Sequence, residues 1–159
     1  MKNNALTSFL KISLDILIAF AAIVYFVIIG RYIIRPDLSS IRSIITYSLF
    51  IVGGGGLYVI LFSLRKIVST VTNSNPFVYE NAKRIRNISI GCFIISAGYV
   101  LNFFINTQYK DFYIVYIDKK GIHTDLEFLI FFFAGWIILI LSEVFRKAIE
   151  IKEENDYTI

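Results

Sequence analysis

Histidine and cysteine occur once each in this chain of 159 residues, as His123 and Cys92, and proline twice, as Pro36 and Pro76. One cysteine cannot close a disulfide within the chain, and its place in an apolar run says nothing of redox compartment. A lone histidine without carboxylate or cysteine partners at ligand spacing does not make a metal site. The same scarcity removes nucleophile–base constellations, and the acids sit mostly at helix ends. No enzyme, cofactor or bound metal is therefore expected. Charge is scarce too. Charged residues make up 18% and hydrophobic residues 57%, where soluble domains run near about a quarter and about a half. Mean hydropathy is +0.69.

What is abundant is apolar sequence, in blocks long enough to cross a bilayer, which takes about 20 residues. Four spans are predicted, over residues 12–34, 43–64, 88–105 and 126–145, in a single membrane domain covering 1–159. The fold class is an all-α membrane protein with four transmembrane helices in two hairpins. The first block is too long for a signal-peptide core and ends without a small-residue cleavage pattern, so it reads as a retained span. Asp15, one turn inside it, is expected at headgroup level near the positive helix start, with a buried functional acid as the alternative. Pro36 breaks the chain after that span, and Ser39 or Ser40 can cap the next helix.

The second span holds Gly53, Gly54, Gly55 and Gly56. Four glycines in an aqueous helix would cost about 4 kcal/mol relative to alanine. In lipid the helix is kept, because unpaired backbone groups cost more. The quartet is expected to permit close helix approach or a kink. Gly91 and Gly98 are seven apart in the third span and share a face. Gly135 and Ser142, at the same spacing in the fourth, are the expected match for it.

Between the second and third spans lies the one long polar and basic segment, Asn75 to Ile88, NPFVYENAKRIRNI. Asn75 suits an N-cap and Pro76 the first helical position. Glu80 is spaced to pair with Lys83 or Arg84. Phe77, Val78, Asn81, Ile85 and Ile88 fall on one side, so an amphipathic helix is predicted to lead straight into the third span. Residues 112–117 are aromatic and β-branched and precede the turn signal Asp118-Lys119-Lys120-Gly121, so the loop reads either as open or as a short β-hairpin. Its tyrosines suit the interfacial belt. The fourth helix is expected to run on to Glu150 or Glu153, supported by Glu143–Lys147 and Arg146–Glu150 pairs.

Charge sets the orientation. Lys2, Lys11, Arg65, Lys66, Lys83, Arg84, Arg86, Arg146, Lys147 and Lys152 lie on one side, ten in all, against six on the other: Arg31, Arg35, Arg42, Lys110, Lys119 and Lys120. The excess places both termini and the central segment in the cytoplasm. The chain's net charge of +4 is read as orientation and headgroup contact rather than direct nucleic-acid binding. The central segment is basic and the tail acidic, so the two are expected to dock. Glu143 is expected to bond to Lys83, Arg84, Arg86 or the backbone of that segment, with Arg146 as its local competitor.

Asn75-Pro76-Phe77-Val78, with Glu80-Asn81 and Lys83-Arg84-Ile85-Arg86, resembles a signature of the YoaS-like family of small bacterial membrane proteins, catalogued as a domain of unknown function. So does the tail, Glu143-Val144-Phe145-Arg146 followed by residues 153–159. The resemblance covers essentially the whole chain, departing at Tyr157, where leucine is more usual. It implies a four-span protein of the bacterial plasma membrane, and no catalytic residues carry over from the family. Members are commonly encoded beside an Xre-type helix-turn-helix regulator, which implies such a partner. The expected function is an interaction or signalling module. Its cytoplasmic face comprises Asn75, Pro76, Phe77, Glu80, Asn81, Lys83, Arg84, Arg86, Glu143, Arg146, Glu154, Asn155, Asp156, Thr158 and Ile159. The plainer reading of these residues is self-docking and headgroup anchoring. The other class is a small transporter, channel or self-immunity protein, which needs ionisable groups mid-membrane. None lies near a span centre, Asn102 being uncharged. The partners expected are the lipid bilayer and that regulator, with a homo-oligomer left open.

Overall fold

The computed structural model describes residues 2–34, 40–72, 76–106, 113–118 and 121–156. They form α1 (Lys2–Ile34), α2 (Ile41–Thr72), α3 (Tyr79–Asn106), β1 (Tyr116–Asp118), β2 (Gly121–His123) and α4 (Glu127–Asp156). All four helices are long and apolar enough to cross a membrane, and the chain is a multi-pass membrane protein. Each helix overruns its predicted span at one end or both. Hydropathy marks only the stretch that lipid covers, and the backbone ladder continues on polar residues beyond it.

Helix starts follow local chemistry. Ser40 caps α2: the Arg42 N–H donates to its Oγ at 3.2 Å, the usual N-cap bond to the second helical position. α3 begins later than expected, at Tyr79, so Pro76 stands outside the helix rather than at its first position. The reason is Asn81, whose Nδ2 donates to the Pro76 carbonyl at 2.8 Å. The same carbonyl accepts the Val78 N–H at 3.2 Å, closing a turn, and the Val78 carbonyl accepts the first helical N–H, from Asn81, at 2.9 Å. Asn75, the expected cap, lies outside the described residues. From Tyr79 onward the amphipathic segment and the third span are one continuous helix. The hairpin pairs Tyr116 with His123 and Asp118 with Gly121. Gly121 has φ +131°, a conformation that favours glycine. At its base the Tyr113 N–H donates to Asp125 Oδ2 at 2.9 Å, and Thr124 Oγ donates to the Ile114 carbonyl at 2.6 Å.

Helices pack in chain order, α1 on α2, α2 on α3 and α3 on α4. The terminal end of the bundle holds the start of α1, the α2–α3 connection and the end of α4. The hairpin end holds the other connections. The core sits along α3, where Asn81, Ala82, Ile88, Ser89, Gly91, Cys92, Ile95 and Ser96 are buried. α1 has no fully buried residue among those described.

Two α3 faces do the packing. Toward α2, Gly91 meets Gly56. A Cβ at Gly91 would stand 2.9 Å from the Gly56 carbonyl oxygen and 2.7 Å from Ile60 Cγ1. Toward α4, Gly135 lies under the Phe93 ring, which a Cβ there would meet at 2.9 Å. Ser96 and Ser142 hydroxyls donate to the Phe128 and Ala82 carbonyls at 2.9 and 2.8 Å. Small residues thus let backbones approach in lipid. The expected match of the Gly91–Gly98 face with Gly135 and Ser142 is not formed, because Gly91 faces α2 while Gly135 and Ser142 face the opposite side of α3. Nor do all the glycines pack. At Gly53, Gly55 and Gly98 an added Cβ would meet nothing within 4 Å. Helical residues step by about 100°, so four consecutive glycines point four ways. Only Gly54, beneath the Tyr25 ring, and Gly56 reach a neighbour. α2 runs unbroken through all four.

Candidate functional site

The terminal end carries most of the polar side chains that the sequence singled out. Its centre is Arg84. Arg84 Nη1 donates to Thr70 Oγ1 at 2.6 Å, to Asn81 Oδ1 at 2.9 Å and to the Lys66 carbonyl at 3.2 Å. Thr70 Oγ1 in turn donates to that same carbonyl at 2.8 Å. With the Asn81–Pro76 bond, this chain of hydrogen bonds welds the end of α2 to the start of α3. Asn81 is buried, at 1% exposure, and its amide is used on both sides. A buried polar group so satisfied fixes geometry rather than merely tolerating burial. The expected pairing of Glu80 with Arg84 or Lys83 does not occur, because Arg84 is turned toward α2. Lys83, Arg86 and Glu80 are exposed.

The tail of α4 closes on this frame. Phe77 and Phe145 stack with ring centroids 5.4 Å apart at 13°. Tyr79 Oη donates to Glu153 Oε2 at 3.4 Å, and Ile149 is 1% exposed. The central segment and tail therefore meet, through the Phe77–Phe145 rings and the Tyr79–Glu153 hydrogen bond, and among the described residues no salt bridge joins them. Glu143 does not bond to the central segment. Its oxygens take Arg146 Nη2 at 2.5 Å and Nε at 3.1 Å, and Arg146 Nη1 also donates to Glu150 at 2.8 Å. A partner one helical turn away costs no reordering of a second element, so the local competitor wins. The expected Glu143–Lys147 pair is not formed, because Arg146 already takes both carboxylate oxygens of Glu143.

Glu154 and Asn155 lie exposed near the end of α4, and Asp156 is its last helical residue. Thr158 and Ile159 lie outside the described residues. Sequence reading missed two contributors. Thr70 and the Lys66 carbonyl are the acceptors that fix Arg84. The available signal was the three-residue spacing of Asn81 and Arg84, which puts both on one face of α3. Asp15 and Arg65, fifty positions apart, form a two-point ion pair between α1 and α2. Asp15 sits in a pair joining two helices rather than merely at headgroup level. Among the described residues no group of three or more histidines, cysteines and carboxylates is placed to hold a metal.

These features define a class, a small four-helix multi-pass membrane protein with a hydrogen-bonded platform at its terminal end. The chain belongs to the family described as a protein of unknown function, DUF2975, whose model matches residues 4–159. No curated protein and no solved structure matches it.

Proposed function

We propose that the protein is a non-catalytic interaction module of the bacterial plasma membrane, with its terminal end in the cytoplasm, where it holds a small helix-turn-helix regulator. The observation that carries this reading is the length and fastening of α4. Its 30 residues make a rod of about 45 Å, against about 30 Å of bilayer hydrocarbon. The apolar part ends near Leu141, so the last turns, with exposed Lys147, Lys152, Glu153 and Glu154, stand clear of the membrane. They are clamped there by the Phe77–Phe145 stack and Tyr79, which presents a preorganised surface, and rigid surfaces lose less entropy on binding. The excess of basic residues at this end supports a cytoplasmic orientation. The partner class rests on the family resemblance of the two polar motifs. The test is co-purification of the full chain in detergent with a helix-turn-helix regulator encoded beside its gene. Retention by wild type and loss with Lys83→Glu/Arg86→Glu is expected. Equal retention by the variant, or none by wild type, overturns the reading.

A further inference from the structure

α1 leans on α2 while α4 leans on α3, and a cleft of about 660 Å³ opens between these pairs. That volume lies within the roughly 300–1,000 Å³ of ordinary ligand sites. Its walls come from all four helices, including Val24 of α1, Leu57 of α2, Gly98 of α3 and Phe131 of α4. The missing side chain at Gly98 keeps it open, since a Cβ there would meet nothing within 4 Å. No charged residue lines it. A cleft so lined does not hold a water column, so it is no ion path.

One end is different. Thr46 and Asn102 line the cleft at the hairpin end. Asn106 Nδ2 donates to Thr46 Oγ1 at 2.7 Å and to Asn102 Oδ1 at 2.8 Å. Both oxygens are thereby used as acceptors. What remains, among the described residues, is two donors without acceptors, the Thr46 hydroxyl proton and the Asn102 amide. A ligand here must supply hydrogen-bond acceptors, which ester carbonyl oxygens do without bringing a donor that these used oxygens would have to accept. Arg42 lies four residues before Thr46, one turn further out on the same face of α2. It is exposed, and no described carboxylate pairs with it. From the cleft outward the order is therefore apolar wall, hydrogen-bond donors, cation. A glycerophospholipid has the complementary order of acyl chain, ester carbonyl and phosphate.

We propose that this cleft is a binding site for one glycerophospholipid, with its acyl chain along Val24, Leu57 and Gly98, its ester carbonyl on Thr46 and Asn102, and its phosphate at Arg42. The chain reaches deeper than a bulk lipid does. From Thr46 to Leu61, both in the lining, α2 rises about 22 Å at about 1.5 Å per residue. One leaflet offers only about 15 Å of hydrocarbon. The terminal methyl of the bound chain therefore lies past the bilayer midplane, near Leu61 and Leu17.

The full chain, reconstituted in phosphatidylcholine vesicles with a minor fraction of phosphatidylglycerol carrying a photoreactive group at the end of one acyl chain, tests this. After photolysis, label is expected to concentrate at Leu17 and Leu61. Gly98→Leu, which fills the cleft, should remove that label while the protein stays folded and monodisperse in detergent. Arg42→Gln/Asn102→Leu, which leaves the apolar wall in place and removes the proposed headgroup contacts, should weaken retention of the probe in detergent at least about fivefold, the worth of about one net hydrogen bond. Label spread evenly over outward residues such as Phe26 and Ile137 would show annular lipid only and overturn the site. So would label at Leu17 and Leu61 that neither variant changes, or photocross-links joining two copies through the cleft.

Discussion

The Asp15 carboxylate and the Arg65 guanidinium meet at two points, Oδ1 with Nε and Oδ2 with Nη2. Planar two-point pairs of this kind add geometric specificity to charge. The pair joins α1 to α2 near the terminal end. Asp15→Asn and Arg65→Gln should each lower the melting temperature in detergent. The exchange Asp15→Arg/Arg65→Asp should recover most of the loss. An exchange no better than the single changes would mean that the two charges act separately.

At the α2–α3 crossing, Gly91→Leu should destabilise by at least about 1–3 kcal/mol, the usual range for overpacking, because its Cβ has the Gly56 carbonyl on one side and Ile60 on the other. Gly55→Ala, facing open space, should leave stability unchanged or raise it by up to about 1 kcal/mol. Thermal unfolding of the two variants side by side decides the matter, and similar losses in both would contradict the assigned crossing.

Tail docking should depend on rings rather than on Glu143. Phe145→Ala removes one half of the stack with Phe77 and should speed limited proteolysis beyond Arg146 severalfold. Glu143→Gln, which touches only Arg146, should leave the rate within about twofold of wild type, as expected for an exposed helix pair. Faster cleavage in Glu143→Gln than in Phe145→Ala would reverse this assignment.

Orientation is checked by reporter fusions. Alkaline phosphatase joined after Ile159 should be inactive, and the same enzyme inserted at Lys119 should be active, if the basic excess sets the topology. The opposite pattern would move the proposed partner surface to the wrong side of the membrane.

The four spans were legible because lipid demands long apolar runs and little else produces them. The overrun of α4 to Asp156 was legible in part from the Arg146–Glu150 spacing, a pair that the structure contains. Contacts across the bundle were not. Asp15 and Arg65 each read sensibly as a helix-end charge, and nothing local tells one of the other. Glu143 was assigned to the central segment because net charge ignores reach: Arg146 is one turn away on the same helix. Gly98 looked like Gly91 because seven residues return to nearly the same face. The helices diverge between the two positions, and Gly98 ends at the cleft.

Chain order and neighbour order coincide in this bundle, and that bears on how it is made. Each helix leaving the ribosome finds its one required companion already in the membrane: α2 meets α1, α3 meets α2, α4 meets α3. No segment must wait for a distant one, so assembly is vectorial and needs no search through non-local pairings. The moment of exposure falls on α3. Until α4 arrives, the Ser96 hydroxyl lacks the Phe128 carbonyl to which it later donates, and the side of α3 that packs on Gly135 faces lipid. A pause in translation between Asn106 and Glu127 would therefore be the point at which the nascent protein is most vulnerable to quality-control proteases.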